Sequence, residues 1–274
     1  MKRLIITCLL LFPSITALNA QVRTDSVTTK LEKLYNRLVN SYQDSDRIRI
    51  NDSIYVFINS FVHSDSAFTY NFTGLKYLGQ ITSPDSLVKI ITWNILLSDG
   101  QGKYFSYFIR KKHGEPGNIV YSLSASYSPL PVADDTTYNI NNWYGALYYG
   151  IRPVSTNGEK YYMLLGINYG NPGVTRKMID VLEFKSDTTL SFGRKWFSSD
   201  NGLKYRVVLE YSATAMVSLR FKSDTSVVFD HLVPFSPAAG ENRQYYGPEY
   251  TYDAYIFDGK IWKLKINVDA RNKE

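Results

Sequence analysis

Cysteine is almost absent from this sequence of 274 residues, in which Cys8 is the single example. A disulfide needs two cysteines and a thiolate metal site needs several, so both are excluded. Cys8 lies inside an apolar run near the amino terminus that we expect to be removed, which also excludes a cysteine nucleophile. The protein therefore depends on its hydrophobic core, and a chain of this length can bury a large one.

The first residues, MKRLIITCLLLFPSITALNAQ, have the layout of a secretory signal peptide. Lys2 and Arg3 precede an apolar run over 4–18, and the small residue Ala20 follows this run. The run is short for a membrane anchor, and Pro13 interrupts it. We therefore predict that a signal peptide is cleaved after Ala20 and that the remaining chain is exported.

Histidine is scarce as well, with three residues in the chain. They stand at His63, His113 and His231, and no two have the close spacing of a helical zinc site. The sequence also lacks the Gly-x-Ser-x-Gly motif of serine hydrolases, a phosphate-binding glycine loop and a dinucleotide fingerprint. We therefore predict neither a metal site nor a cofactor.

Charge of one sign is not concentrated anywhere in the sequence. The formal net charge is +6, and the longest basic run covers only 110–112. Nucleic-acid-binding proteins gather Lys and Arg on one face or stripe, so we predict a solvated surface and no nucleic-acid partner. Beyond the signal peptide no apolar run is long enough for a helix that spans a bilayer, so we predict no transmembrane span after cleavage.

The segment 21–66 is the part of the chain with helical periodicity. Apolar residues recur there at intervals of three and four, as one face of an amphipathic helix requires. These residues are Val27, Leu31, Leu34, Leu38, Ile50, Ile54, Phe57, Ile58 and Phe61. Thr24 or Asp25 is suited to cap the first helix. We predict an antiparallel helical pair whose apolar stripes pack against the rest of the chain.

The segment 67–274 changes to the two-residue period of β-strands separated by turn residues. The predicted hairpins are 87–97 with 103–112, 143–154 with 160–169, 178–184 with 190–197, and 250–257 with 260–268, and a three-strand meander covers 203–212, 216–222 and 227–232. The predicted fold class is all-β, mainly an antiparallel meander, with an N-terminal helical pair. A sandwich or barrel is favoured over an incomplete propeller-like sheet, because a propeller needs about four blades.

The last predicted strand has one apolar face. An apolar residue stands at every second position, at Trp262, Leu264, Ile266 and Val268, and the residues between them are polar. We expect the apolar set to be buried and the polar set to face water, as in an antiparallel strand with one covered side.

The stretch WYGALYYGIRP, residues 143–153, carries four aromatic rings within seven positions. Alternate positions of this stretch and of the following run, 160–169, are largely apolar on both sides. This pattern favours a central hairpin covered on both faces, with the N-terminal helices on one of them. Gly145 would leave room for a ring from an adjacent strand, since it has no side chain.

The alternative interpretation of these aromatics is a contact surface. Tyrosine suits such a surface because its ring is apolar and its hydroxyl can stay in water. The candidate ligand-binding residues are Tyr144, Tyr148, Arg152, Tyr245, Tyr246 and Tyr250, the last three of them in or beside the loop 234–249.

Three carboxylates are candidates for acid-base chemistry. Glycoside hydrolysis requires two carboxyl groups at a suitable separation. Asp230, Glu249 and Asp253 are the candidates, the latter two beside aromatic residues suited to stacking on a sugar. His231 is the neighbour of Asp230, but neighbouring side chains of a strand point to opposite faces, so we do not expect these two to cooperate.

A short pattern, Asp-Ser or Asp-Thr followed by a small or aliphatic residue, recurs along the chain. It looks like the O-glycosylation acceptor pattern of some Gram-negative envelope systems, although the same dipeptides also begin turns and helices. The candidate acceptors are Ser26, Ser53, Ser66, Ser86, Thr136 and Thr188.

Several longer phrases together resemble an uncharacterised family of exported proteins from Gram-negative bacteria of the Bacteroidetes kind. The phrases are WYGALYYGIRP, KYYMLLGINYGN, RKMIDVLEF, VLEYSATAMVSLRF, VVFDHLVPF, YYGPEYTYDAY and NVDARN, over about residues 75–272. The resemblance implies a location in the periplasm or at the outer envelope. It implies no activity, so no catalytic residue is carried over from it.

We therefore expect an exported, non-catalytic envelope protein with a structural or binding role, whose partner is envelope polysaccharide or another envelope protein. A carbohydrate-active hydrolase that uses the paired carboxylates is the alternative. Lipid or peptide binding inside an open barrel is a weaker alternative, and a large apolar cavity would indicate it.

Overall fold

The computed structural model describes residues 27–112, 114–128 and 130–269. The predicted signal peptide, the proposed capping residues Thr24 and Asp25, and Ser26 lie outside the described residues, as does His113.

Two helices form the amino-terminal layer, as the periodicity predicted. Helix α1 covers 27–39 and helix α2 covers Asp44–Val62. Their apolar stripes, with Leu31 and Ile54 at the centre, are fully buried against one face of a β-sheet. The polar side chain of Asn51 also faces this sheet, where its Oδ1 accepts a hydrogen bond from Trp93 Nε1 at 2.8 Å. A 3₁₀ turn, Asp65–Ala67, leads out of the helical layer.

The remainder of the described residues forms sixteen strands. They are β1 (Gly79–Thr82), β2 (Val88–Leu96), β3 (Gly102–Lys111), β4 (Asn118–Ser126), β5 (Tyr138–Asn139), β6 (Leu147–Thr156), β7 (Glu159–Asn171), β8 (Val174–Phe184), β9 (Leu190–Phe192), β10 (Phe197–Ser199), β11 (Gly202–Lys204), β12 (Val207–Ser212), β13 (Leu219–Ser223), β14 (Ser226–Pro234), β15 (Tyr246–Phe257) and β16 (Trp262–Lys265). Two further 3₁₀ turns, Pro237–Ala239 and Arg243–Tyr245, lie between β14 and β15.

The strands form three sheets. Sheet A has the order β1-β2-β3-β4, sheet B has the order β5-β9-β8-β7-β6 with β12 also paired to β8, and sheet C has the order β11-β10-β16-β15-β14-β13. All pairs are antiparallel except the short contact of β10 with β16. Within the described residues each sheet is open, so the predicted all-β antiparallel class is confirmed and a closed barrel is not formed.

The four layers are stacked in the order helices, sheet A, sheet B and sheet C. One apolar cluster joins the helices to sheet A, a second joins sheets A and B, and a third joins sheets B and C. Each sheet alternates its side chains between two faces, so sheets A and B each contribute to two of these clusters. Sheet B is therefore the middle one of the three sheets.

The predicted hairpin β6–β7 is central and is covered on both faces. Tyr162 and Leu164 pack toward sheet A, whereas Tyr161, Met163 and Leu165 pack toward sheet C. The helices do not cover it, because they pack on the far side of sheet A; that part of the prediction was wrong. Periodicity shows that both faces are apolar but does not identify the element that covers each face.

The glycine in this aromatic stretch makes room for a ring, as expected. Gly145 has a φ of +79°, and a Cβ placed there would lie 2.8 Å from the ring of Tyr104.

Two strand assignments from the sequence need correction. The predicted meander over 203–232 does not form, because β12 pairs with β8 of sheet B and only β13 and β14 pair with each other. In β16 and directly after it, Trp262 is buried but Leu264 and Ile266 are 37% and 63% exposed. The alternation shows which side chains share a face, but the facing layer does not extend far enough to cover them.

A buried ion pair lies in the centre of sheet B. The guanidinium of Arg206 and the carboxylate of Asp180 are 0% and 1% exposed, and Arg206 Nε donates to Asp180 Oδ2 at 2.9 Å. The other guanidinium nitrogens donate to the carbonyl oxygens of Ala133, Thr136 and Phe192. A buried charge pair is tolerated when its remaining hydrogen-bonding groups are satisfied in this way.

Gly193 is required beside this pair. Its φ is +96°, and a Cβ placed there would lie 2.5 Å from Arg206 Nη2. The backbone therefore approaches the guanidinium more closely than any residue with a side chain would permit.

Asp180→Asn is expected to lower the free energy of unfolding by about 3–5 kcal/mol, because it leaves the buried charge of Arg206 without a counter-charge. Asp187→Asn is the matched control, since Asp187 pairs with Arg110 at 2.7 Å but its side chain is 72% exposed. The control should cost less than about 1 kcal/mol. Urea denaturation measures both values, and equal losses would contradict this assignment.

Lys89 is a buried cation on the helix-facing side of sheet A. Its side chain donates to Tyr70 O and to Asn71 Oδ1, and its Nζ lies 5.8 Å from the ring centre of Phe61. Among the described residues no carboxylate lies within ion-pair distance of it. Burial accordingly lowers the pKa of Lys89 to about 8.

The free energy of unfolding should therefore rise between about pH 8 and about pH 10.5, because in this range the unfolded chain holds the Lys89 proton more tightly than the folded chain. Lys89→Met should remove most of this rise, which amounts to about 1.4 kcal/mol for each pH unit between the two pKa values. Lys112→Met is the control. Lys112 directly follows β3 and is exposed, so its substitution should leave the rise unchanged. Urea denaturation across the pH series tests this, and parallel curves for the native protein and Lys89→Met would contradict it.

Candidate functional site

The aromatic stretch 143–153 is mainly part of the core. Trp143 and Tyr148 are buried, and Trp143 Nε1 donates to Tyr148 OH at 2.9 Å. Tyr144 OH donates to Asp180 Oδ2 at 2.8 Å, next to Arg206. Burial raises the pKa of both tyrosines, Tyr144 and Tyr148, above the usual value. The rings of Tyr144 and Tyr148 thus pack between sheets A and B and do not form a surface platform.

The other candidate ligand-binding residues lie elsewhere. Arg152 stands on the edge strand β6, where its guanidinium lies 5.2 Å from the ring centre of Phe221 and 3.4 Å from Asp224 Oδ1. Tyr245 and Tyr250 are exposed, and Tyr246 OH donates to Gly240 O. Among the described residues no hydrogen bond or ring contact joins this second group to Tyr144 or Tyr148.

Two of the three candidate carboxylates line one open cleft. This polar cleft of about 550 Å³ lies where β12, β14, β15 and the segment 131–135 meet. Its titratable residues are Asp134, Asp135, Lys204, Glu210, Asp230, His231, Arg243 and Asp253. Glu249 is exposed and lies outside it.

A strand irregularity places the neighbours Asp230 and His231 on the same cleft. Regular pairing of β14 with β15 stops after Asp230 and resumes at Leu232, and this bulge breaks the alternation of the two faces. The two side chains nevertheless contact different partners, Asp230 the backbone N–H of Ser218 and His231 the carboxylate of Asp253. A bulge of this kind leaves no clear signal in a single sequence.

Both carboxylates of the polar cleft have partners within the chain. Asp253 Oδ2 lies 2.7 Å from His231 Nδ1, and Asp253 Oδ1 accepts a hydrogen bond from Asn267 N at 3.2 Å. Asp230 Oδ2 accepts a hydrogen bond from Ser218 N at 2.7 Å. These contacts fasten β14 to the residue before β13, and β15 to β14 and to the segment that follows β16. The two carboxylates thus serve the pairing of sheet C.

A second cleft, of about 530 Å³, lies at the seam between the helical layer, sheet A and sheet B. We call it the helix–sheet cleft. Its aliphatic and aromatic lining residues are Leu38, Val39, Tyr77, Leu78, Ile95, Leu96, Leu147, Tyr148, Tyr149, Ile167 and Tyr169. Its other lining residues are Arg47, Lys76, Gly79, Thr92 and Asn94.

The helix–sheet cleft gathers large apolar side chains that stay exposed to solvent. Val39, Tyr77, Leu96, Tyr149 and Tyr169 are between 40% and 57% exposed. Exposed apolar side chains scattered singly need no explanation, but several around one concavity indicate a ligand or partner site.

The charged residues of the helix–sheet cleft are both cations. Arg47 Nη1 donates to Leu96 O at 2.8 Å and its Nε donates to Ser41 O, which fixes the guanidinium at one end of the cleft. Lys76 is exposed. No Asp or Glu belongs to the described lining residues. Arg47 Nη1 also lies 3.7 Å from the carboxylate of Asp44, which is not a lining residue. The charged lining residues of this cleft are therefore cations, one of them paired, whereas the polar cleft contains more carboxylates than cations.

Thr92 provides a polar group at the floor of the helix–sheet cleft. It is fully buried, and within the described residues its Oγ1 has no hydrogen-bond partner. A Cβ on Gly79 would lie 2.7 Å from this oxygen, so only glycine fits above it without a shift. Unpaired buried hydroxyl groups are uncommon in proteins.

The candidate glycosylation acceptors lie in different environments. Ser53, Ser86, Thr136 and Thr188 are exposed, and Ser66 is half-buried in the 3₁₀ turn after α2.

Comparisons with known proteins give no relative. No protein-family model, curated protein or solved structure matches this chain. In the part of the chain that the structure describes, neither helix has the length and apolar character needed to cross a membrane. The same residues contain no group of three or more His, Cys, Asp or Glu arranged to hold a metal ion.

Proposed function

We propose that this chain is an exported, non-catalytic binding protein of the bacterial envelope and that the helix–sheet cleft holds its ligand. One observation carries the proposal: five large exposed apolar side chains and two cations surround a single concavity whose described lining contains no carboxylate. The signal-peptide pattern at the amino terminus and the resemblance to exported proteins support the location.

The lining of the cleft favours an amphipathic anion as the ligand. Its aliphatic walls, such as Leu96, Leu147 and Ile167, suit a hydrocarbon group, and Arg47 and Lys76 suit a carboxylate or phosphate. A sugar would require many hydrogen-bonding partners for its hydroxyl groups, and these walls offer few. Envelope polysaccharide is therefore a less suitable ligand for this cleft than a molecule with an acyl chain.

The polar cleft gives weaker support to the hydrolase alternative. Asp230 and Asp253 line it together, but Asp253 is bound to His231 and to the backbone of Asn267, and Asp230 is bound to the backbone of Ser218. A glycoside hydrolase requires one carboxyl group as a proton donor and another as a nucleophile or base. Carboxylates with internal partners are less available for these roles.

Decanoate should bind the protein more tightly than 1-decanol, because both fill the apolar part of the helix–sheet cleft but only the carboxylate meets Arg47 and Lys76. Leu96→Asp should weaken decanoate binding at least about tenfold, which corresponds to about 1.4 kcal/mol. Lys76→Gln should weaken decanoate binding several-fold and leave 1-decanol binding unchanged. Isothermal titration calorimetry measures these affinities.

Leu264→Asp is the matched control for Leu96→Asp. Leu264 is an exposed strand leucine that does not line the helix–sheet cleft, so its substitution should change decanoate affinity less than twofold. Equal losses in the two variants, or no binding of decanoate by the native protein, would contradict the proposal.

A further inference from the structure

Strand β4 forms an edge of sheet A and is unprotected. Its nine residues, NIVYSLSAS, contain neither a charged residue nor a proline. It pairs with β3 from Asn118 to Ser126 without a register shift. A long, regular, uncharged edge strand presents a row of free backbone groups, and proteins normally protect such edges against pairing with another chain.

The strands at the other sheet edges all carry a protective feature, including β12, which pairs with β8 and carries Glu210. β1, β5 and β11 contain only four, two and three residues. β6 contains Pro153 and a register shift, and β13 contains Arg220, Lys222 and a register shift. Short length, proline, bulges and charges each discourage edge pairing. The contrast with β4 within the same protein indicates that the β4 edge is kept open for pairing.

The hydrogen bonds between β3 and β4 show which backbone groups of β4 point outward. Directly after the strand, Tyr127 N donates to Gly102 O at 2.8 Å, so the odd-numbered residues direct their backbone groups toward β3. The even-numbered residues then direct their N–H and C=O groups away from sheet A. These residues are Asn118, Val120, Ser122, Ser124 and Ser126. Among the described residues, these outward N–H and C=O groups form no hydrogen bond with another segment.

We propose that two copies of this chain associate by antiparallel pairing of β4 with β4 of the second copy, about a two-fold axis at Ser122. In this register Ser122 lies opposite its own copy, Val120 opposite Ser124, and Asn118 opposite Ser126. Every pair joins two even-numbered residues, so each pair exchanges two backbone hydrogen bonds. The strand is therefore complementary to itself, as an isologous interface requires.

The chemistry of the strand favours a second copy as the partner. Two-fold pairing of a charged strand would oppose like charges, but β4 carries none. Both faces of sheet A are already covered, by the helices and by sheet B, so lateral extension adds strands without exposing a new apolar face. Ile48 of α2, which is 36% exposed and lines a recess beside Ser124, would gain cover from the partner.

Sedimentation equilibrium with Ser124→Pro tests this pairing. Proline removes an outward N–H of β4 while the odd-numbered residues keep their bonds to β3, and proline is tolerated on a strand edge that faces solvent. Ser124→Ala is the matched control because it keeps the N–H. We expect the native protein and Ser124→Ala to form dimers in the micromolar range and Ser124→Pro to dissociate at least about tenfold more readily.

A second variant and a second measurement guard against misfolding of the proline variant. Ser122→Lys opposes two cations across the two-fold axis, so its dimer should be weaker at low salt than at high salt. In the native protein the amides of Val120, Ser122 and Ser124 should become protected from hydrogen exchange as concentration rises. A native protein that is monomeric throughout, or a dimer that survives both substitutions, overturns the proposal.

Discussion

The ion pair between Arg206 and Asp180 is the constraint on which the centre of the molecule depends. Arg206 is on the segment that leads into β12, Asp180 is on β8, and the guanidinium also binds carbonyl oxygens of the segment 133–136 and of β9. Burial raises the pKa of Asp180 and the guanidinium opposes that rise. If the chain folded without this pairing, the core would contain an unpaired charge, which is destabilising. The pair therefore holds these four segments in one arrangement.

Sheet B occupies the centre of the stack, and its position explains where aromatic residues are found. Both of its faces are covered, so rings such as Tyr162 and Tyr161 fill two cores instead of binding a ligand. The hydroxyl group allows a buried tyrosine to join a polar network, as Tyr144 does beside Asp180. The high aromatic content of this sequence therefore reflects the amount of buried core. The exposed rings of Tyr77 and Tyr169 are the ones that indicate a site.

The local sequence pattern predicted the helices and strands, but it did not predict how the strands assemble into sheets. The turn Asn157-Gly158 adopts positive φ values of 53° and 78°, as its hairpin prediction required. By contrast, nothing near Val207 shows that β12 leaves the predicted meander to pair with β8, because this partner strand is distant in the sequence. The helix–sheet cleft could not be predicted from local pattern either, because its residues come from the helices, from 76–79 and from four strands. Of the predicted contact surface, the run 143–169 contributes residues to this cleft, whereas Tyr245, Tyr246 and Tyr250 do not line it.

The position of the helix–sheet cleft follows from the layering itself. Sheet A separates the core beneath the helices from the core shared with sheet B, and both cores end along the edge where β1 and the start of β6 come together. Side chains at such a seam cannot be covered by either layer, which explains why Leu96 and Tyr149 remain exposed beside fully buried neighbours. A ligand in the seam would contact three layers at once, and its binding would therefore stabilise the docking of the helices on the sheets. Stacked sheets leave a cleft where their cores do not meet.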